Sequence, residues 1–125
     1  MTFDLKPRTP AGKKFLAASQ KLIPQLRRAA DDADRTATMA EESFHALQSS
    51  GIAAAFVPEA LGGWGLASVY DWMLGIRALA QGDGSVAIAI NMHLAVSRGM
   101  ATAFDQSGGK LESPAARPLA AIVAG

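Results

Sequence analysis

Between residues 51 and 68 the chain reads GIAAAFVPEALGGWGLAS, the one long interruption in a sequence otherwise patterned for helix. Pro58 fixes its own φ, Gly62, Gly63 and Gly65 supply conformations closed to other residues, and bulky Leu61 and Trp64 among them can anchor the segment. The apolar run from Ala53 to Val57 reads as extended. Together these residues predict an ordered connector between two helical blocks, and any fold for this chain has to accommodate it. A phosphate loop is not what they spell: no Gly-Lys-Ser/Thr follows, and no GxGxxG spacing joins a strand to a helix.

On the N-terminal side, Phe15, Leu22, Ile23, Leu26, Ala30 and Ala33 recur at helical spacing, with Lys14, Lys21, Arg27 and Arg28 on most of the other face. Residues 1–11, with Pro7 and Pro10, read as a loose arm, and Pro24 predicts a kink or the start of the helix's better half. The polar run from Asp31 to Thr38 breaks the period. Thr38 followed by Glu41 has the spacing of a capping box, which predicts a second helix burying Ala40, Phe44 and Leu47 and ending at Gly51 in a left-handed cap.

After the connector, Ser68 and Asp71 repeat the capping pattern ahead of a third helix, with Val69, Trp72, Met73, Ile76, Leu79 and Ala80 as its stripe. Gly82 ends it, and Asp83 can cap a fourth. From Val86 to Val96 that fourth helix is apolar on nearly every face, which predicts a central helix buried on all sides. Residues 105–114 read as a surface loop. The apolar stretch Pro118 to Ala124 follows, with nothing further in the chain to bury it, so the chain looks cut.

A chain of 125 residues, half of them apolar, is one domain's worth, with one core expected and no second. A net charge of +1 argues against a nucleic-acid binder, and the basic residues of the first quarter are explained by a solvated helix face. The absence of cysteine excludes disulfide and thiolate chemistry. The start, MTFDLKPRTP, lacks the apolar stretch of a signal peptide, and no run approaches the roughly 20 residues of a membrane span. A soluble, cytoplasmic protein is expected.

Few residues have the makings of chemistry. Glu59 is the sole carboxylate of the connector motif and reads as an exposed loop acid; Glu41 and Glu42 suit the first turn of a helix, where acids complement the dipole. His45 reads as a surface residue. His93 reads as a core histidine with one hydrogen bond, and no acid or second histidine follows at i+3 or i+4 to make a dyad or metal site. Ala87, Asn91 and Ala95 fall on one helical stripe, where small side chains beside a buried amide leave room for a ligand or another helix.

Taken in order, Gly51, Val57-Pro58-Glu59, Gly62-Gly63, Gly65-Leu66, Asp83 and Ser85 resemble the N-terminal helical domain of the acyl-CoA dehydrogenase family, over roughly Leu22 to Phe104. Leu61 departs from the family's usual aromatic, a matter of packing more than chemistry. The resemblance implies an all-α bundle of about four to six helices with an ordered Gly-rich connector. It implies a helical domain at residues 12–117 and, at 118–125, the start of a flavin-binding β-domain that is missing here. A C-terminal helical domain carrying the catalytic glutamate is missing too. This chain alone is then expected to be inactive and to bind no FAD, the cofactor of the complete enzyme, which acts on an acyl-CoA and is expected to be a homo-oligomer. By the same resemblance Ala87, Ile88, Asn91 and Ala95 line the acyl pocket, with Asn91 setting chain length or meeting a polar substituent. Two alternatives stay open: the two-component flavin monooxygenase branch of the same fold, acting on non-CoA substrates, and a stand-alone helical interaction module.

Overall fold

The computed structural model describes residues 5–38 and 40–125. Within them the protein is all-helical, as expected: α1 (Pro10–Thr36), α2 (Glu41–Ser50), α3 (Val69–Gly82), α4 (Gly84–Gln106) and α5 (Ala116–Ala124), with single 3-10 turns at Ile52–Ala54 and Glu59–Leu61 in the connector.

α1 starts where Thr9 stops it from fraying. The Thr9 hydroxyl accepts the Gly12 N–H at 3.0 Å, and Pro10 occupies a first-turn position that has no intrahelical donor to lose. The arm expected through residue 11 therefore gives way to helix at Pro10, and its first four residues lie outside those described. α1 then runs through Pro24 to Thr36, so the polar run at 31–36 is its last turns and not a break. Asp31, Asp32, Asp34 and Arg35 are all exposed there, with Arg35 paired to Asp32, while Ala29 is buried on the other face. Polar side chains that reach water leave a helix intact.

That extension dismantles the expected capping box. The Thr38 hydroxyl pairs with that of Thr36 at 2.7 Å, and α2 begins after Ala40 with no side-chain cap. The inward face of α2 is Ser43 and Leu47; Phe44, expected to be buried, is 40% exposed, and Ala40 is half-buried. Gly51 does end the helix in the left-handed region, at φ 81°.

α1 and α3 pack at a distance set by glycine. A Cβ on Gly75 would lie 2.1 Å from Cε1 of the fully buried Phe15 ring, and one on Gly12 would lie 2.0 Å from Oδ2 of Asp71. The inward face of α3 is accordingly Asp71, Leu74, Gly75, Ala78 and Leu79. Of the expected stripe only Leu79 is fully buried; Val69, Met73 and Ala80 are exposed. A count of apolar residues passes over a glycine and an aspartate, and those two fix how the helix is turned.

α4 departs most from expectation. Val86, Ala87, Ile90, Leu94, Ser97 and Phe104 are buried, but Ile88, Met92 and Val96 are each about two-thirds exposed, so the helix is buried along one face and not on all sides. There are also two cores where one was expected. The main one joins Phe15, Leu26, Ile52, Phe56, Leu79 and Leu94 with their neighbours. A smaller one gathers Ala54, Val57, Phe104, Ala116 and Leu119. Leu119, fully buried here, corrects the expectation that 118–124 has nothing to pack against. That segment is helix, and its Val123 reaches Gly62 in the connector.

Candidate functional site

The connector positions the outer surface of α4, and it does so as a folded-back loop. Ala53 to Val57 is not extended: the 3-10 turn at Ile52–Ala54 leads into Ala55 at φ −56°, ψ −43°. The chain reverses at Pro58 to Gly63 and runs back along itself, Trp64 N–H donating to Ala54 O at 3.2 Å, Gly65 N–H to Val57 O at 3.0 Å and Leu66 N–H to Ala55 O at 2.8 Å. Gly63 is required by the crossing, since a Cβ there would sit 2.1 Å from the Val57 carbonyl oxygen. Lys14 of α1 lies over the Trp64 ring at 4.5 Å, and Phe56 meets the Trp72 ring edge-on with centroids 5.1 Å apart.

His93 ties α4 to this loop. Its Nε2 lies 3.0 Å from Ala53 O, and because a carbonyl only accepts, Nε2 carries the proton. The Ser97 hydroxyl, one turn on, lies 3.4 Å from the same nitrogen and donates to the His93 carbonyl at 2.8 Å. The expected reading of His93, a packed histidine with a satisfied hydrogen bond, matches this geometry. His45 is exposed, as are Glu41, Glu42 and Glu59. No group of acids and histidines among the described residues could hold a metal ion.

The most constrained carboxylate is Asp71, which belongs to the α1–α3 seam. Burial pushes its carboxyl up. The Thr9 hydroxyl at 2.6 Å, the Arg8 N–H at 2.8 Å and the Thr9 N–H at 3.0 Å, with the Arg8 charge, more than offset that and hold it below the ordinary carboxylate value. Ser68 caps α3 through the Asp71 N–H at 3.1 Å, as its spacing predicts, while the Asp71 side chain reaches across to the other helix. Asp71 holds structure together and is closed to solvent.

The four residues expected to line a pocket do not share one surface. Ala87 is buried in the main core, Ile88 and Ala95 face outward, and Asn91 lies half-buried on the boundary. Steps of four residues advance about 40° around a helix of 3.6 residues per turn, so a stripe of three such positions winds from inside to outside. Asn91 Oδ1 is buried and has no hydrogen-bond partner among the described residues, a state it shares with Trp72 Nε1 of α3 and Ser43 Oγ of α2. Such orphaned atoms cost stability unless something pairs with them. Beside Ile88 on the exposed face stand Met92 and Val96, which sequence reading missed; their four-residue spacing is shared by Ala87, Asn91 and Ala95 and by buried Ile90 and Leu94, so it carried no signal. The 620 Å³ groove between α1 and α2, bordered by Lys21, Glu42 and His45, is lined by none of these residues. Nor is the 380 Å³ hollow between the connector and the end of α4, lined by Phe56, Glu59, Leu66 and Asp105 among others.

The side chains on this face decide what it could hold. Ile88, Met92 and Val96 can wall off an aromatic ring or a substrate from water, but they offer no charge for a diphosphate. These residues fit one side of a flavin or substrate site and do not fit a complete flavin cradle.

An all-helical bundle with this connector, and with a helix beyond it open on one apolar face, defines a class. The model described as acyl-CoA dehydrogenase, N-terminal domain, matches residues 15–104, and the chain belongs to that family. Within it, the chain is 36% identical over 115 residues to the amino sugar nitrososynthase DnmZ of Streptomyces peucetius, a match covering 92% of this chain and 27% of that protein. It is 36% identical over 118 residues to the L-evernosamine nitrososynthase of a Micromonospora species, covering 94% of this chain and 27% of that one. Among solved structures, KijD3 in complex with dTDP superposes with a TM-score of 0.83 at 32% identity, over 94% of this chain and 30% of that one. The chain thus spans about a quarter of the length of the curated relatives it matches. No helix among the described residues is long and apolar enough to cross a membrane.

Proposed function

We propose that this chain is the N-terminal helical part of an enzyme that oxidises the amine of a nucleotide-linked amino sugar to a nitroso group. The observation that carries the reading is the match of nearly the whole chain to two nitrososynthases and to a structure holding dTDP. The non-CoA branch anticipated from sequence as the alternative thereby becomes the preferred reading. In it, the redox chemistry is supplied by FAD when bound, and the residues that hold FAD lie in parts of the enzyme outside this chain.

This chain supplies a wall. Ile88, Met92 and Val96 exclude water from one side of the reacting group, and half-buried Asn91 marks the polar edge of that wall. Ala87 supports the wall from behind, and Ala95 leaves space at its rim. His93 holds the helix against the connector. A flavin domain following this one, and assembly into a homo-oligomer, belong to the same proposal.

A second reading, α,β-dehydrogenation of an acyl-CoA thioester, is favoured by the family model alone. The two are separated by giving the enzyme that carries this domain either reduced FAD, oxygen and a dTDP-linked amino sugar, or an acyl-CoA series with an electron acceptor. A sugar product heavier by one oxygen and lighter by two hydrogens is expected. An enoyl-CoA product with the sugar untouched would overturn the proposal in favour of the second reading. In the active assay Asn91→Leu is expected to raise KM for the preferred substrate; kinetics unchanged across substrates would remove Asn91 from the wall.

A further inference from the structure

We draw no further inference here: the strongest candidate, the exposed apolar face of α4 formed by Ile88, Met92 and Val96 and continued by Ala95, Gly99 and Ala103, belongs at one end to the site already described, and nothing in the structure shows what covers its other end.

Discussion

The α1–α3 seam and the outer face of α4 handle apolar and polar groups in opposite ways. In the seam a carboxylate is buried completely, yet both of its oxygens are met by donors, and the Phe15 ring fits against a glycine with no room for one more carbon. On α4 three large apolar side chains stand in water, and Asn91 of the same helix buries an oxygen without a partner among the described residues. Buried polar groups are normally satisfied, and apolar side chains are normally gathered inward. The seam meets both rules and the α4 region neither. The first has the chemistry of a finished joint, the second that of a surface shaped for something else to complete.

If that contrast is right, damage to the seam should cost far more than damage to the α4 face. Phe15→Ala is expected to lose about 3–5 kcal/mol, a large part of the roughly 5–15 kcal/mol that holds a domain together. Urea unfolding of the pair of proteins measures it. A loss below about 1 kcal/mol would mean that the seam does not organise the bundle.

Asp71→Asn tests the polar half of the same joint. An amide keeps one accepting oxygen and turns its NH₂ toward donors that already point inward, so a loss of about 1–3 kcal/mol is expected. The pH dependence has a definite sign. With its pKa held down in the folded protein, Asp71 binds fewer protons folded than unfolded, so its contribution is fully present above the ordinary carboxylate value of 3.8. It is lost as pH falls from there through the lowered value. Urea melts across this acid range should therefore show the wild type converging on Asp71→Asn as pH falls. A gap that stays constant with pH would place the effect in packing and not in the charge.

The two capping sites give a smaller, paired comparison. Ser68→Ala should cost about 1 kcal/mol, because the Ser68 hydroxyl holds the Asp71 N–H, whereas Thr38→Ala should stay within about 0.5 kcal/mol. Equal losses at the two positions would restore the capping box that the geometry lacks.

How far the chain could be read from its residues follows the same division. The place of the connector was legible because glycine and proline act on their own backbone: Gly51 caps α2 as expected, and the ordered segment falls where predicted, although it turns back at Pro58 to Gly63 and its run from Ala53 to Val57 is not extended. The start of α2 was not legible, because Thr38 can cap only if α1 releases it, and α1 instead continues to Thr36 with its acids in water. The orientation of α3 was hidden because Asp71 and Gly75, its deciding residues, carry no apolar signal. The α4 site was half legible. Asn91 stood out as an amide in an apolar run, but Ile88, Met92 and Val96 differ from buried Ile90 and Leu94 only in the face they occupy. Hydrophobicity alone does not distinguish a core side chain from one reserved for a partner or ligand.

The smallest expected effect on stability is the most informative about that last point. Replacing both Ile88 and Met92 with serine removes apolar groups that touch little of this chain, so unfolding should move by no more than about 0.5 kcal/mol per site. Serine has a weaker helix preference than methionine, by a few tenths of a kcal/mol, and that sets the lower bound on the loss. What should change is association. Exposed apolar stripes drive contact between molecules, so sedimentation velocity at rising concentration should show less self-association in the double variant than in the parent. A loss of several kcal/mol would mean that these side chains belong to the bundle's own packing. The wall assigned to them would then be part of the core, and the contrast between the two regions would fail at the residues that define it.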